Sequence, residues 1–356
     1  MKPLVSTIIP TLLPERFESL CKAIRSVLDQ SYPRVEAIVV ADGPGATHVE
    51  KLSEKFPGGR VRVARRDRRG GPGAARNAGA GAAQGEYLAF LDDDDEWLPQ
   101  KLEVQMAIAR ERPDAAFLFS DAYVIKETGT TTFFEGAEFS GSPTLEALCR
   151  RDFVLCATAL VKRAIFEEVG GLDGSEELLG ADDADLWGRI LYRGHPAAYS
   201  PLPLVRYNYR SNGYSESAEF FQHLQNLLKK RMRLFSDRPE CTALLKDYLF
   251  RMTCGEGNKH LRDGRIEKAS ACFGRAASLR FSPTRNYSGE FHEGAYCFLL
   301  SGRRAEARRF LCRSMRLRPF YLKNYLYWVF TCLPAGGYRA LRNLKRRLFG
   351  RSEKTE

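Results

Sequence analysis

The chain has 356 residues, 44% of them hydrophobic and 28% charged, and a formal net charge of +11. That length is too great for one ordinary core and implies two domains, or one large α/β domain with an extension, while the composition excludes collagen-like, disordered and small disulfide-stapled chains. The charge is unevenly divided: residues 1–219 carry 26 basic and 33 acidic side chains, residues 220–356 carry 29 and 11, which points to two units with different partners.

In chain order, "LVSTIIP" (4–10) reads as a buried strand. "FESLCKAIRSVLDQS" (17–31) follows as a helix, with Phe17, Leu20, Cys21, Ile24, Val27 and Leu28 on one face. "VEAIVVA" (35–41) is a second buried strand, ended by the turn residues Asp42, Gly43 and Pro44. A short helix near 47–56, a strand "VRVAR" (61–65), a Gly-rich turn, a small-residue helix over about 73–83 and a strand "EYLAFL" (86–91) come next. "AAFLFSDAYVI" (115–125) is another strand. This alternation predicts a mostly parallel sheet with helices on both faces, and such sheets bind ligands outside the carboxyl ends of their strands. Asp42 and the run Asp92–Asp95 both fall at strand C-termini, so they should share that edge.

Four consecutive aspartates after an apolar run are not a solvated charge stretch, because Trp97 and Leu98 follow directly. They lack the alternating acids and central glycine of an EF-hand loop. Asp95 alone would serve to cap a helix opening near Pro99. Relief of the remaining repulsion requires a divalent cation, Mg²⁺ or Mn²⁺, of the kind bound by one or two carboxylates plus substrate phosphates. "GGPGAARNAG" (70–79) precedes a helix whose N-terminus can face an anion, but it has neither a P-loop ending nor the position of a dinucleotide fingerprint. Its glycines fit a turn and close helix packing equally well. Arg76 is a cation suited to a diphosphate, and Asn77 reads as a structural hydrogen-bonder. A second acidic cluster, "GADDADLWGRI" (180–190), opens an amphipathic helix. One acid satisfies the helix dipole, and the excess leaves a carboxylate for the cleft, where it can act as a general base.

Nine cysteines without a CxxC pair and five scattered histidines make zinc ligation and Cys/His catalysis improbable, and the thiols read as buried and reduced. From about 220 the pattern is helical and basic. "GRIEKASACFGRAASLR" (264–280) matches "GRRAEARRFLCRSMRLR" (302–318) at an offset of 38 residues, a repeat similar to the tetratricopeptide type, although a plain helical bundle would also carry it. "YRALRNLKRRLFGR" (338–351) is amphipathic and basic, suited to an anionic membrane or to plain solvation. The N-terminal apolar stretch is too short for a signal peptide and is interrupted by Pro10. The longest apolar candidate, "YLYWVFTCLPAGG" (325–337), is too short to span a bilayer and ends in a helix breaker. A cytoplasmic protein is expected, peripheral to a membrane if the basic end binds one.

Taken together, "VSTIIPT", "VVADGP", "GPGAARNAGAGAAQGEYLAFLDDDDEWLP", "VGGLDG" (169–174) and "GADDADLW" resemble, in order and spacing, the inverting glycosyltransferases of family 2. The resemblance spans about residues 4–215. It implies a GT-A (Rossmann-like) three-layer α/β/α sandwich over 1–219, followed by an all-α, repeat-like region over 220–335 and a basic tail over 336–356. It also implies transfer of a sugar from a nucleotide-diphospho-sugar to a glycan or lipid-linked acceptor, with Mn²⁺ or Mg²⁺ as cofactor and no nucleic-acid partner. By this resemblance Pro10, Thr11, Asp42, Arg76, Asp92 and Asp93 contact the nucleotide sugar, Asp94 holds the metal in a DxD-type element, and Asp183 is the catalytic base. Three positions depart from the pattern: Asp182 stands where Glu is frequent, Ala41 where a second acid is common, and Asn212 where histidine is frequent. Two other readings are a sugar-phosphate nucleotidyltransferase and a non-catalytic scaffold that binds a protein through its repeats. The first normally carries a Gly-rich signature after its first strand, where this chain has "LLPERFES". The second is disfavoured by retention of both Asp92–Asp95 and Asp183.

Overall fold

A computed structural model describes residues 2–135, 141–210, 213–279 and 287–332. The chain divides into two compact units, residues 1–245 and 246–356. In the first unit the elements run β1 (Val5–Thr11), α1 (Phe17–Leu28), β2 (Val35–Asp42), α2 (Leu52–Lys55), β3 (Val61–Arg66), α3 (Gly71–Ala82), β4 (Tyr87–Phe90), β5 (Glu96–Trp97) and α4 (Lys101–Glu111). They continue with β6 (Phe117–Lys126), β7 (Gly129–Thr132), α5 (Leu145–Arg150), β8 (Leu160–Lys162), α6 (Arg163–Glu168), α7 (Asp182–Tyr192), β9 (Ala197–Asn208) and α8 (Ala218–Leu234). Helix α9 (Pro239–Arg262) runs across the division. The second unit adds α10 (Ile266–Ser278), α11 (Ser288–Leu300), α12 (Arg304–Leu317) and α13 (Leu322–Cys332).

The nine described strands form one sheet, ordered β3-β2-β1-β4-β8-β6-β9-β5, with β7 paired to β6. Pairs β1–β2, β1–β4, β2–β3 and β6–β9 are parallel, and β8, β5 and β7 run against their neighbours. Successive strand side chains point to opposite faces, and both faces are covered. Val5, Ile9, Ala37 and Val39 share a core cluster with Leu20, Cys21, Ile24 and Val27 of α1. On the other face, a Cβ at Gly79 of α3 would lie 2.4 Å from Ile8 and 2.9 Å from Val40. Only glycine lets that helix approach so closely, and this two-sided burial is why β1 and β2 read as unbroken apolar runs.

The expected boundary at 219/220 falls before α8, whereas the compact units divide at 245/246. Helix α8 packs within the first unit: Leu227 joins Leu178, Ala181 and Ala184 in a small core. Its buried Arg231 donates to Asp152 at 2.8 Å and to the Ala184 carbonyl at 2.5 Å. A change from α/β to helical composition at 220 therefore does not mark the unit boundary.

In the second unit, Phe250, Phe273, Phe291, Phe298 and Phe310 form an aromatic core. The 38-residue repeat appears as two matching turns. Gly264 and Gly302 have φ of 73° and 77°, and the following amides, Arg265 N and Arg303 N, each donate at 2.8 Å to the carbonyl five residues back, on His260 and Phe298. A left-handed glycine closing a helix with that bond is a Schellman-type stop. Arg280 of the repeat and the tail 338–351 lie outside the described residues. All nine cysteines are free, seven of them buried. Folding brings Glu256, His260 and Cys272 within 4.8 Å of one another, a proximity that sequence spacing does not reveal. There the Arg275 guanidinium donates to Glu256 at 2.8 Å and to Cys272 at 3.3 Å.

Candidate active site

The carboxyl ends of β1, β2 and β4 carry the predicted residues to one edge of the sheet. Thr11 ends β1, and its hydroxyl donates to Asp93 Oδ2 at 2.7 Å while lying 3.0 Å from His48 Nε2. Asp42 ends β2 and is buried. Its Oδ1 accepts from Arg66 at 2.5 Å and its Oδ2 from Gly71 N at 2.8 Å, with Gly70 N shared between them. It thus caps α3, a favourable place for an anion. Gly71 opens that helix with φ +80°, a conformation few other residues adopt.

The four aspartates follow β4 in a tight turn, closed by Asp95 N donating to the Asp92 carbonyl at 3.1 Å. Trp97 anchors the far side, its indole N–H donating to the Ala157 carbonyl at 2.9 Å. The four side chains diverge. Asp93 is buried on Thr11 and on Arg16, which donates to it at 2.8 Å. Asp95, 1% exposed, accepts from Asn208 N at 2.9 Å and so ties the turn to β9. It does not cap α4, whose N-cap is Gln100 with no side-chain bond. The expected cap is corrected to a cross-sheet pin, because the turn points Asp95 back into the sheet. Asp92 and Asp94 remain toward the open side, with side chains 39% and 18% exposed.

Asp182, Asp183 and Asp185 occupy the first turn of α7. The helix is held in place by Trp187, fully buried and stacked on Phe117 with centroids 4.8 Å apart. Asp185 pairs with Arg189 and Lys230, each at 2.8 Å, which turns it away from the other two. Arg76 of α3 links the two acidic clusters: Nη2 meets Asp92 at 2.6 Å and Nη1 meets Asp182 at 3.2 Å. A Cβ at Gly73 would lie 2.9 Å from the Asp182 carboxyl carbon, so glycine is what admits that carboxylate against α3. Asn77 pins the 169–174 loop, bonding both N–H and C=O of Leu172 at 2.9 and 2.8 Å.

Arg76 therefore differs from its expectation. At 4% exposure, with both ends on carboxylates, it is a bridge inside the site rather than a guanidinium presented to a diphosphate. Two cations that the motifs do not include, half-buried Arg16 and exposed Arg210, each lie 3.3 Å from Asp94 Oδ2. Arg16 lies five residues beyond the "PT" ending β1, and nothing in its spacing marks it. Ser211 and Asn212 lie outside the described residues.

Six carboxyl groups (Asp92–Asp95, Asp182 and Asp183) thus meet three guanidiniums. Burial above all, and then neighbouring carboxylates, raises Asp93, Asp94, Asp95 and Asp182 above the usual carboxylate range. Asp183, half-buried, is pushed up to about 7 by desolvation and by adjacent Asp182. A carboxyl titrating there can accept a proton near neutral pH. Four buried polar atoms of this edge, His48 Nδ1, Arg76 Nε, Asp95 Oδ2 and Asp182 Oδ1, have no partner among the described residues. Such atoms are few in native proteins and are commonly met by ligand or water. The donor set suits a small divalent cation: two carboxylates, Asp92 and Asp94, reach the open side, and their surplus negative charge favours one.

Parallel strands ending in acids, a capped helix beside them and a carboxylate opposite define a GT-A-type transferase fold. The family model for glycosyl transferase family 2 matches residues 6–170. A putative teichuronic acid biosynthesis glycosyltransferase, TuaG of Bacillus subtilis, is 30% identical over 220 residues, which are 61% of this chain and 83% of that protein. The chain belongs to glycosyltransferase family 2. Another relative, the UDP-Glc:α-D-GlcNAc-diphosphoundecaprenol β-1,3-glucosyltransferase WfaP of Escherichia coli, is 27% identical over 60% of this chain and 81% of its own. Among solved structures, S. aureus TarS 1–349 in complex with UDP-GlcNAc shares the fold with TM-score 0.54 and 16% identity, over 99% of this chain and 94% of its own. The mannosyltransferase PcManGT of Pyrobaculum calidifontis, in complex with GDP-Man and Mn²⁺, also gives 0.54, at 19% identity over 90% and 88%.

Proposed function

We propose that this glycosyltransferase moves a sugar from a nucleotide-diphospho-sugar to an acceptor hydroxyl with inversion, in a metal-dependent reaction. The observation that carries the reading is the Arg76 bridge, which ties the Asp92–Asp95 turn to the head of α7, so that donor-side acids and Asp183 share one edge. In this reading Pro10, Thr11, Asp42, Asp92 and Asp93 form the nucleotide-sugar wall, and Asp94, assisted by exposed Asp92, would hold Mn²⁺ or Mg²⁺. When bound, that cation supplies positive charge opposite the departing nucleoside diphosphate. Asp183 removes the proton from the acceptor hydroxyl as its oxygen attacks the anomeric carbon. The bond from that carbon to the phosphate oxygen breaks on the opposite face, and the configuration inverts. Arg76 keeps Asp182 and Asp92 in place, and so fixes Asp183 beside them.

The acceptor is a hydroxyl of a glycan or lipid-linked glycan in bacterial surface polysaccharide synthesis, a reading supported by what TuaG and WfaP are named for. The helical region after the transferase domain is a tetratricopeptide-like partner platform, supported by the two matching glycine turns. The test is release of nucleoside diphosphate from a panel of nucleotide sugars with Mn²⁺ or Mg²⁺. Asp183→Asn should lower kcat by about 10²–10⁴-fold, the usual yield of general-base catalysis, while donor binding persists. If Asp94→Ala and Asp183→Asn both transfer sugar at the parent rate, these roles are wrong.

A further inference from the structure

Helix α13 is built inside out. Its two fully buried residues are polar, with Tyr327 and Phe330 packed half-buried against the aromatic core between them: Asn324 donates to Ser314 Oγ at 2.8 Å and lies 2.8 Å from His292 Nδ1, and Thr331 Oγ1 accepts from Arg308 at 2.8 Å. Its outward residues are apolar: Leu322 (79% exposed), Tyr325, Leu326, Trp328 and Val329, with Phe320 (92%) just before it. Half of the twelve exposed large hydrophobic side chains among the described residues fall within these ten positions. A helix in contact with water places these classes the other way round, and clustered exposed apolar groups mark an interaction surface.

The flanking charge indicates the occupant. Residues 302–332 contain eight Arg or Lys and a single acid, Glu306. Arg308, Arg309, Arg313, Arg316, Arg318 and Lys323 are exposed. An apolar face containing Trp and Tyr, bordered by cations, complements an anionic lipid surface, with aromatic rings at headgroup level and cations on phosphates. A protein groove would explain the leucines, but it would need an acidic rim to meet the excess of one sign of charge, which an anionic bilayer supplies over its whole surface. No described helix is long and apolar enough to cross a membrane, so the contact lies in the interfacial plane. We propose that the outward face of α13 is a lipid-docking surface that holds this protein on an anionic bilayer.

The protein carries its own reporter, because Trp97 and Trp187 are 3% and 0% exposed while Trp328 is 41% exposed. The full chain is mixed with vesicles of phosphatidylcholine alone or with phosphatidylglycerol added. The expected result is a blue shift of tryptophan emission and quenching by brominated acyl chains with the anionic vesicles only. Raised salt should weaken binding, and Leu326→Asp/Val329→Asp should lower it by about tenfold with the thermal midpoint unchanged. Equal binding by the double variant, or no shift with anionic vesicles, overturns the proposal. So does a Trp328 already shielded from iodide without lipid, which would mean that the chain's own residues 333–356 cover the face. Self-association abolished by the same double variant would assign the face to a second copy and overturn it as well. None of these readouts depends on sugar transfer, so this proposal and the catalytic one fail separately.

Discussion

The two ends of the chain handle charge in opposite ways. At the sheet edge, six carboxyl groups and three guanidiniums are drawn together, several of them nearly out of solvent, and each position depends on its neighbours. Around α13 the cations are exposed and held by single scattered contacts, such as Arg308 on Thr331 and Arg318 over Tyr321, and several apolar side chains face outward. A buried ion network is costly to break because removing one member strands another in low dielectric, whereas an exposed charge loses little when changed. Chemistry at the first end therefore comes with fragility, and the second end tolerates substitution.

The sharpest test of that contrast is Arg76→Ala. Both Asp92 and Asp182 would lose their cation, and unfolding free energy should fall by about 3–5 kcal/mol, measured by denaturant titration. A loss no larger than that of an exposed arginine such as Arg316→Ala would break the comparison. Gly73→Ala comes next: the new Cβ meets the Asp182 carboxyl at 2.9 Å, and crowding of this sort costs about 1–3 kcal/mol. It should also lower kcat by displacing α7 from α3, visible as a loss larger in kcat than in KM.

A subtler effect concerns pH. Asp183 is raised to about 7 in the folded protein, so kcat/KM should climb as pH rises through about 7, and Asp183→Asn should abolish that limb. The stability consequence has the opposite direction. The folded form holds this proton more tightly than the unfolded one, so its contribution is present below about pH 4 and lost as pH rises toward 7. Asp183→Asn should accordingly raise the melting temperature at pH 8 and leave it nearly unchanged at pH 4. The smallest effect is at the other end: Leu326→Ser should shift stability by no more than about 0.5 kcal/mol.

Much of the site was legible in the sequence because strand ends are. "VVADGP" and "AFLDDDDEW" stop apolar runs with acids, and parallel topology gathers such ends on one edge. The small-residue helix was legible too: Gly73 and Gly79 are where α3 meets Asp182 and the sheet. Spacing could not show which cations answer the acids. Arg16 and Arg210 are 194 positions apart and meet only on Asp94, and Arg76 gave no sign that its partners would be protein carboxylates. At Asp95 a helix cap and a cross-strand pin look alike in sequence until β9 is in place. In sequence the stretch after 320 is marked only as apolar and too short to span a bilayer. Its reversed face is invisible without knowing that Asn324 and Thr331 point inward.

The Arg76–Asp182 pair joins residues 106 apart, and this sets an order of events on the ribosome. At about 5–20 residues per second, the donor-side acids and Arg76 leave the tunnel roughly 5–20 s before the head of α7. During that interval β1, β2 and β4 can pair while the arginine holds only Asp92. The two acidic clusters of the transferase thus join only just past the midpoint of its synthesis, when α7 arrives and Asp182 closes on a cation already in position.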